Sequence, residues 1–285
     1  MASIGHYGGL RRRAAAAGLD VIMIEHRGVG LSRHVDTGAD LPAAAMTMHQ
    51  VVDDVAAVLD DAGVQTATVY GTSYGSYVAA GVGVRHPGRV EAMVLDSPLL
   101  NADDIDEVRT ALRDLLWHGA QDPELAGKVR ELESVGGLSA GDAHVATLLY
   151  GIGGSALLHR HLDRLLDGGG LLWTAVSRFG RTVAWRTVPY RNEPDLVAPI
   201  GFRELNFAGR PDGLPLDPAE ARWDAPGADV AFESAPFDLV ATMPGFTWPT
   251  VVVSGGRDLI TPLAVADRIA GLIPAATLVR LPTAG

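Results

Sequence analysis

The stretch Gly71-Thr72-Ser73-Tyr74-Gly75 has the G-x-S-x-G spacing that can make a serine a nucleophile. In such an elbow the serine occupies a tight, strained turn from strand to helix, which lifts Oγ above a sheet. Small residues on both sides let the chains pass closely. The N-terminus of the following helix and the backbone N–H of Tyr74 would then face an oxyanion formed at the attacked carbonyl. The chain has no cysteine, so covalent chemistry falls to oxygen, imidazole or amine nucleophiles. The bland alternative is a Gly-rich turn between strand and helix.

A serine nucleophile needs a base and a group that orients it, and around this elbow the chain order is Ser, then Asp or Glu, then His. Asp258 meets the second requirement, because it follows an apolar run at Thr250–Ser254 through Gly255-Gly256-Arg257. Asp96, at the end of an earlier apolar run, competes with it, and a plain surface aspartate is the alternative for both. The base is expected after the last strand. Pro282-Thr283-Ala284-Gly285 occupies that loop and holds no histidine, and none of the nine histidines stands where the base is needed. His26 and His34 flank a turn, His49 and His86 belong to helices, and His118, His144, His159 and His161 lie further along. His159 and His161 point to different sides of a helix, which argues against a metal pair.

The elements that must position these groups follow from periodicity. Leu19–Glu25 reads as a buried strand, because it is a short Val- and Ile-rich run bounded by Gly18 and a turn. Thr47–Ala62 reads as an amphipathic helix, with Thr47 and Gln50 in capping register and Gly63 as its stop. Thr66–Tyr70 is a strand, Tyr74–Arg85 a helix of small residues closed by Pro87, and Val90–Leu95 a further strand. This β-α-β-α-β rhythm implies a mostly parallel sheet with helices on its faces. The rhythm stops near Pro98, and from Asn101 to Gly245 the pattern is helical, with Pro and Gly clusters. It resumes at Thr250, with Thr261 as helix cap, Pro262 at the first helical position and a last strand at Thr277–Leu281. The expected division is therefore a core of residues 1–100 and 246–285, interrupted by a helical cap of residues 101–245.

Composition sets the outer limits. With 47% hydrophobic and 20% charged residues the chain suits a globular enzyme, and no run reaches the ~18 apolar residues that span a bilayer. A net charge of −11 argues against a nucleic-acid partner, and the short run Arg11-Arg12-Arg13 does not reverse it. Gly151-Ile152-Gly153-Gly154-Ser155-Ala156 fits a dinucleotide-binding pattern but lacks the βαβ context, so it reads as a helix break. The first 25 residues lack the layout of a secretory signal, which gives a cytoplasmic expectation.

These landmarks together resemble the α/β-hydrolase superfamily, and in particular its prolyl-aminopeptidase and tripeptidyl-aminopeptidase-like serine peptidases. Glu25-His26-Arg27-Gly28-Val29-Gly30-Leu31-Ser32 resembles the D-x-R-G-x-G-x-S turn of that branch, with Glu25 in place of Asp. The elbow at Ser73, Val94-Leu95-Asp96-Ser97-Pro98 and Gly255-Gly256-Arg257-Asp258 match later landmarks, so the likeness covers roughly residues 5–100 and 246–285. It implies an α/β-hydrolase core with an inserted helical cap, and acyl transfer on short peptides without metal or organic cofactor. In this reading Ser73 is the nucleophile, Tyr74 supplies an oxyanion N–H, and Asp258 orients the base. Glu193 and Glu204 are candidates to hold a substrate ammonium. An esterase or amidase, or an inactive binding protein of the same fold, is the alternative. The family's glycine-rich oxyanion loop and its histidine have no counterpart here, so the resemblance implies core strands and a loop before Met1, and a base at or just after Gly285. The segment between the strands ending at Glu25 and Tyr70 in space is expected to belong to that missing part.

Overall fold

The computed structural model describes residues 8–136, 140–169, 173, 186–190, 192–207, 209–222 and 225–285. Four strands, β1 (Ala67–Thr72), β2 (Val90–Asp96), β3 (Thr250–Gly255) and β4 (Ala276–Leu281), form one sheet in the order β1-β2-β3-β4. Every neighbouring pair is parallel, and the register sets Thr72 beside Asp96, Asp96 beside Val253, and Val253 beside Val279. All four carboxyl ends therefore lie along one edge, where open α/β sheets carry their sites.

Helix α1 (Gly8–Ala16) precedes the turn at residues 25–32, and α2 (Met48–Asp61) follows it. Thr47 caps α2 by accepting from the Gln50 N–H at 3.3 Å, the bond its spacing to Gln50 predicts. Arg27 ties the turn to this helix: its guanidinium donates to both carboxylate oxygens of Asp54, at 2.6 and 2.5 Å. Helix α3 (Tyr74–Arg85) links β1 to β2 and is largely buried. Its small residues are required by what crosses it, since Tyr77, Val82, Met93, Val252, Phe237 and Trp248 share one apolar cluster.

Between β2 and β3 the described residues form helices: α4 (Asp104–Arg113), α5 (Pro123–Ser134), α6 (Ala140–Leu166), α7 (Pro194–Leu205) and the short α8 (Leu239–Thr242). Their own apolar cluster joins Val108, Leu116, Leu125, Val129 and Leu158. Helix α6 breaks at Gly154, where φ 63° and ψ −165° suit only glycine. The helix break expected at Gly151–Gly154 is thus present. Helix α9 (Leu263–Leu272) then joins β3 to β4.

Two local expectations are corrected. Leu19–Glu25 is not a buried strand: no residue of it is in a strand, and Leu19 is 61% exposed. An apolar run becomes a strand only when another strand takes its N–H and C=O groups, and the sheet β1-β2-β3-β4 does not include this run. Helix α9 begins one residue later than expected, with Pro262 as its cap residue. Thr261 instead turns its hydroxyl to Asp258.

One buried acid sits where the helical segment leaves the core. Asp104 accepts from the Leu100 and Asn101 N–H groups through one oxygen, at 2.6 and 3.2 Å, and its other oxygen is buried without a partner. It lines a small cavity of about 40 Å³ with Tyr77, Leu99, Leu205 and Phe207. Burial pushes its carboxyl up to about 6 from the usual 3.8. The folded chain then keeps a proton that the unfolded chain has lost between these values, so this contribution to stability is full below pH ~4 and gone above pH ~6. Denaturant unfolding should show Asp104→Asn flattening that fall by on the order of 2–3 kcal/mol relative to the parent chain; an unchanged pH profile would exclude Asp104 as its source.

Candidate active site

Ser73 is the single residue between β1 and α3, and its backbone lies at φ 51°, ψ −124°. Such a conformation costs a residue with a side chain on the order of 1–3 kcal/mol and persists only where its surroundings impose it. Here they do. The Ser73 N–H donates to the Asp96 carbonyl at 2.9 Å, and the Ser73 carbonyl accepts from the Ser76 N–H at 2.9 Å and from Ser76 Oγ at 2.6 Å. Glycine at 71 is obligatory, because a Cβ there would lie 2.0 Å from the Gly75 carbonyl oxygen. The resulting turn leaves Ser73 exposed at the carboxyl edge of the sheet.

Tyr74 opens α3, so its N–H belongs to the first turn, whose N–H groups lack intrahelical partners and carry the positive end of the helix dipole. Its phenol turns the other way and meets His26 Nε2 at 3.0 Å. Because His26 Nδ1 faces the Arg27 carbonyl, Nδ1 carries the proton and Nε2 accepts from Tyr74. Desolvation holds the imidazole below its ordinary pKa, which keeps that acceptor neutral, and pushes the Tyr74 phenol up. Sequence reasoning left His26 as an ordinary turn residue, and its place in the turn two residues before Gly28 was the available signal.

Asp258 follows β3 on the same edge. Its carboxylate accepts from the N–H groups of Ile260 at 2.9 Å and Thr261 at 2.8 Å, and from the Thr261 hydroxyl at 2.6 Å. These three donors fix the carboxylate against the start of α9, and among the described residues no histidine is one of its partners. The loop after β4 lies directly beside it: Gly256 N–H donates to the Leu281 carbonyl at 2.9 Å and Arg257 N–H to that of Ala284 at 2.8 Å. Asp96, the competing acid, accepts from the Tyr70 hydroxyl at 2.8 Å and gives its carbonyl to Ser73.

Histidines elsewhere have other partners. His34 pairs with Asp40, His86 with Asp53, and His159 with Asp122 and Lys128. Among the described residues no group of three or more His, Asp or Glu stands placed to hold a metal ion, and no helix is long and apolar enough to cross a membrane.

Glu193 and Glu204 are both buried, and each accepts a backbone N–H outside the elbow. Glu193 accepts from the Gly30 N–H at 2.6 Å and lies 3.7 Å from Arg33. Glu204 accepts from the Met48 N–H at 2.8 Å and from Arg203 at 2.6 Å. Each carboxylate thus fastens the helical segment to the turn at 25–32 or to the start of α2.

Residues 1–125 match the model of a family described as Serine aminopeptidase, S33. Three solved structures superpose over nearly the whole chain. Rv0554 of Mycobacterium tuberculosis gives a TM-score of 0.50 at 18% identity, covering 96% of this chain and 75% of that one. Proline iminopeptidase of Mycobacterium smegmatis gives 0.50 at 18%, covering 90% and 70%. VinJ gives 0.51 at 17%, covering 96% and 77%. The chain has the α/β-hydrolase fold. The elbow after β1, the loop carrying Asp258 after β3 and the loop after β4 follow one another in the chain order that this fold uses for a triad.

The strain at Ser73 can be measured without assuming any activity. Glycine adopts φ 51° freely, so Ser73→Gly should raise stability by about 1 kcal/mol in denaturant unfolding. A destabilised Ser73→Gly chain would show that the elbow carries no strain.

Proposed function

We propose that this chain is a serine hydrolase acting by acyl transfer, with short peptides bearing a free N-terminus as its substrates. The observation that carries the reading is the backbone of Ser73, a strained turn held by three hydrogen bonds at the carboxyl edge of a parallel sheet. A fold keeps such strain where a side chain must be presented. In the proposed cycle Ser73 Oγ bonds to the substrate carbonyl carbon while its proton passes to a base. The oxyanion rests against the Tyr74 N–H. Collapse expels the leaving group, which takes the proton back from the base, and water then repeats the sequence on the acyl-enzyme.

In this reading Asp258 orients the base, whose place is beside the Asp258 loop, where residues 282–285 pack. The peptidase class is supported by the family match over residues 1–125 and by the likeness to a proline iminopeptidase. Small esters are the second reading, because nothing in the elbow distinguishes an ester carbonyl from an amide. Glu193 and Glu204 enter the peptidase reading as ammonium ligands, in competition with the protein donors that now occupy them.

A fluorophosphonate probe should label Ser73, and Ser73→Ala should remove the label. Labelling at another serine would overturn the assignment. With aminoacyl arylamides and p-nitrophenyl esters compared under the same conditions, a rise in KM confined to the free-amine substrates in Glu193→Gln or Glu204→Gln would place the ammonium there. Equal losses on both substrate types would assign these two residues to holding the fold.

A further inference from the structure

Ser76 is 1% exposed, yet both sides of its hydroxyl are used. Its Oγ donates to the Ser73 carbonyl at 2.6 Å and accepts from the Leu99 N–H at 3.0 Å. It therefore ties the elbow to the loop after β2, a loop that is itself constrained, since Ser97 has φ 49° and gives its N–H to the Val253 carbonyl at 2.9 Å. The carbonyl that Ser76 holds belongs to the peptide unit joining Ser73 to Tyr74. That unit is planar and trans, so its C=O and N–H point in opposite directions. Holding the oxygen toward Ser76 aims the Tyr74 N–H away from it, out of the N-terminal end of α3.

We propose that Ser76 is a positioning residue that sets the orientation of the oxyanion-stabilising Tyr74 N–H by anchoring the carbonyl of the same peptide unit to the loop after β2. This rests on Ser73 being the nucleophile. The Ser76 N–H also bonds the Ser73 carbonyl, at 2.9 Å, but that donor belongs to α3 and rotates with it. Among the described residues the hydroxyl alone connects the unit to a second strand end. Without it the Ser73–Tyr74 peptide can rock about the strained φ and ψ of Ser73, and an electrostatic site stabilises a developing charge only when its donors are already aimed. The Leu99 N–H would lose its acceptor at the same time.

The test uses a transition-state mimic on the chain as it stands. An arylboronic acid accepts an electron pair from Ser73 Oγ as the hydroxyl proton leaves to solvent, and one oxygen on the resulting tetrahedral boron takes the place of the oxyanion. Dissociation constants would be measured for the parent chain, S73A, S76A and S76T, with unfolding curves for each. S73A should lose binding. S76A should weaken it by about tenfold or more, approaching the ~10²–10³ that one oxyanion donor is worth, while S76T, which keeps the hydroxyl, should stay near the parent. If S76A folds poorly, S76C carries the test, because its thiol fills the site with only a weak donor. Loss of binding in S73A with parent-like binding in S76A and S76C would overturn the role of Ser76 alone. Equal binding by the parent and S73A would overturn the nucleophile reading, and this proposal with it.

Discussion

The backbone of Ser73 is the constraint around which the carboxyl edge of the sheet is arranged. At φ 51°, ψ −124° it is unfavourable by on the order of 1–3 kcal/mol. Three hydrogen bonds to its N–H and C=O, at about 1 kcal/mol each, offset a cost of that size. None of the three partners is arbitrary. The Asp96 carbonyl is available because parallel register sets Thr72 beside Asp96, so the sheet itself delivers the acceptor for the Ser73 N–H. Ser76 is available because it lies one helical turn further on. The missing Cβ at Gly71 lets the Gly75 carbonyl close the turn.

The same register passes the constraint sideways. Ser97 takes the Val253 carbonyl as Ser73 takes that of Asp96, so the strand ends of β1, β2 and β3 are stitched in sequence from Ser73 towards the loop that carries Asp258. That loop is then gripped from two directions. Arg257 and Gly256 bond the loop after β4, while Leu259 packs into the apolar cluster of the helical segment. At the break in α6, Gly154 leaves room for the Arg257 guanidinium, which a Cβ there would approach to 3.0 Å. Asp258 therefore sits on a backbone that the sheet and the helical segment both hold, with its own carboxylate pinned by three donors. Fixation of this kind leaves the carboxylate little to reorganise when a charge develops beside it.

What was legible in the sequence divides along the range of the interactions involved. The elbow, α2 with its Thr47 cap, and the β1-α3-β2 unit could be read because their determinants are local: a glycine at a turn, a hydroxyl three residues before an N–H, a run of small residues. Leu19–Glu25 could not be read, because strand identity depends on a partner elsewhere and the apolar run says nothing about whether one is present. Asp258 was legible through its place after a strand, but the donors that hold it were misassigned when Thr261 was taken for a helix cap. Ser76 went unnoticed because a serine in the first turn of a helix has an ordinary local explanation. Its second partner, the Leu99 N–H, lies 23 positions away.

Glu193 and Glu204 show the same limit and also explain how the helical segment is fastened. Their partners Gly30 and Met48 are 163 and 156 positions distant, so only the folded chain reveals that two buried carboxylates meet backbone N–H groups of the core. A buried charge left unpaired would be costly, whereas one that accepts from an N–H and faces an arginine has its desolvation largely compensated. Arg33 extends the fastening by donating to Asp195 at the start of α7, at 3.0 and 2.8 Å, and to Asp40; these hydrogen bonds, with its charge, hold both carboxyls below the usual range. Polar fastenings are directional, as apolar packing is not, so they fix where α7 lies over the turn at 25–32. That turn also carries His26, the acceptor for the Tyr74 phenol. The position of the helical segment and the side chain next to Ser73 are consequently set by one short piece of chain, anchored to α2 through Arg27 and Asp54.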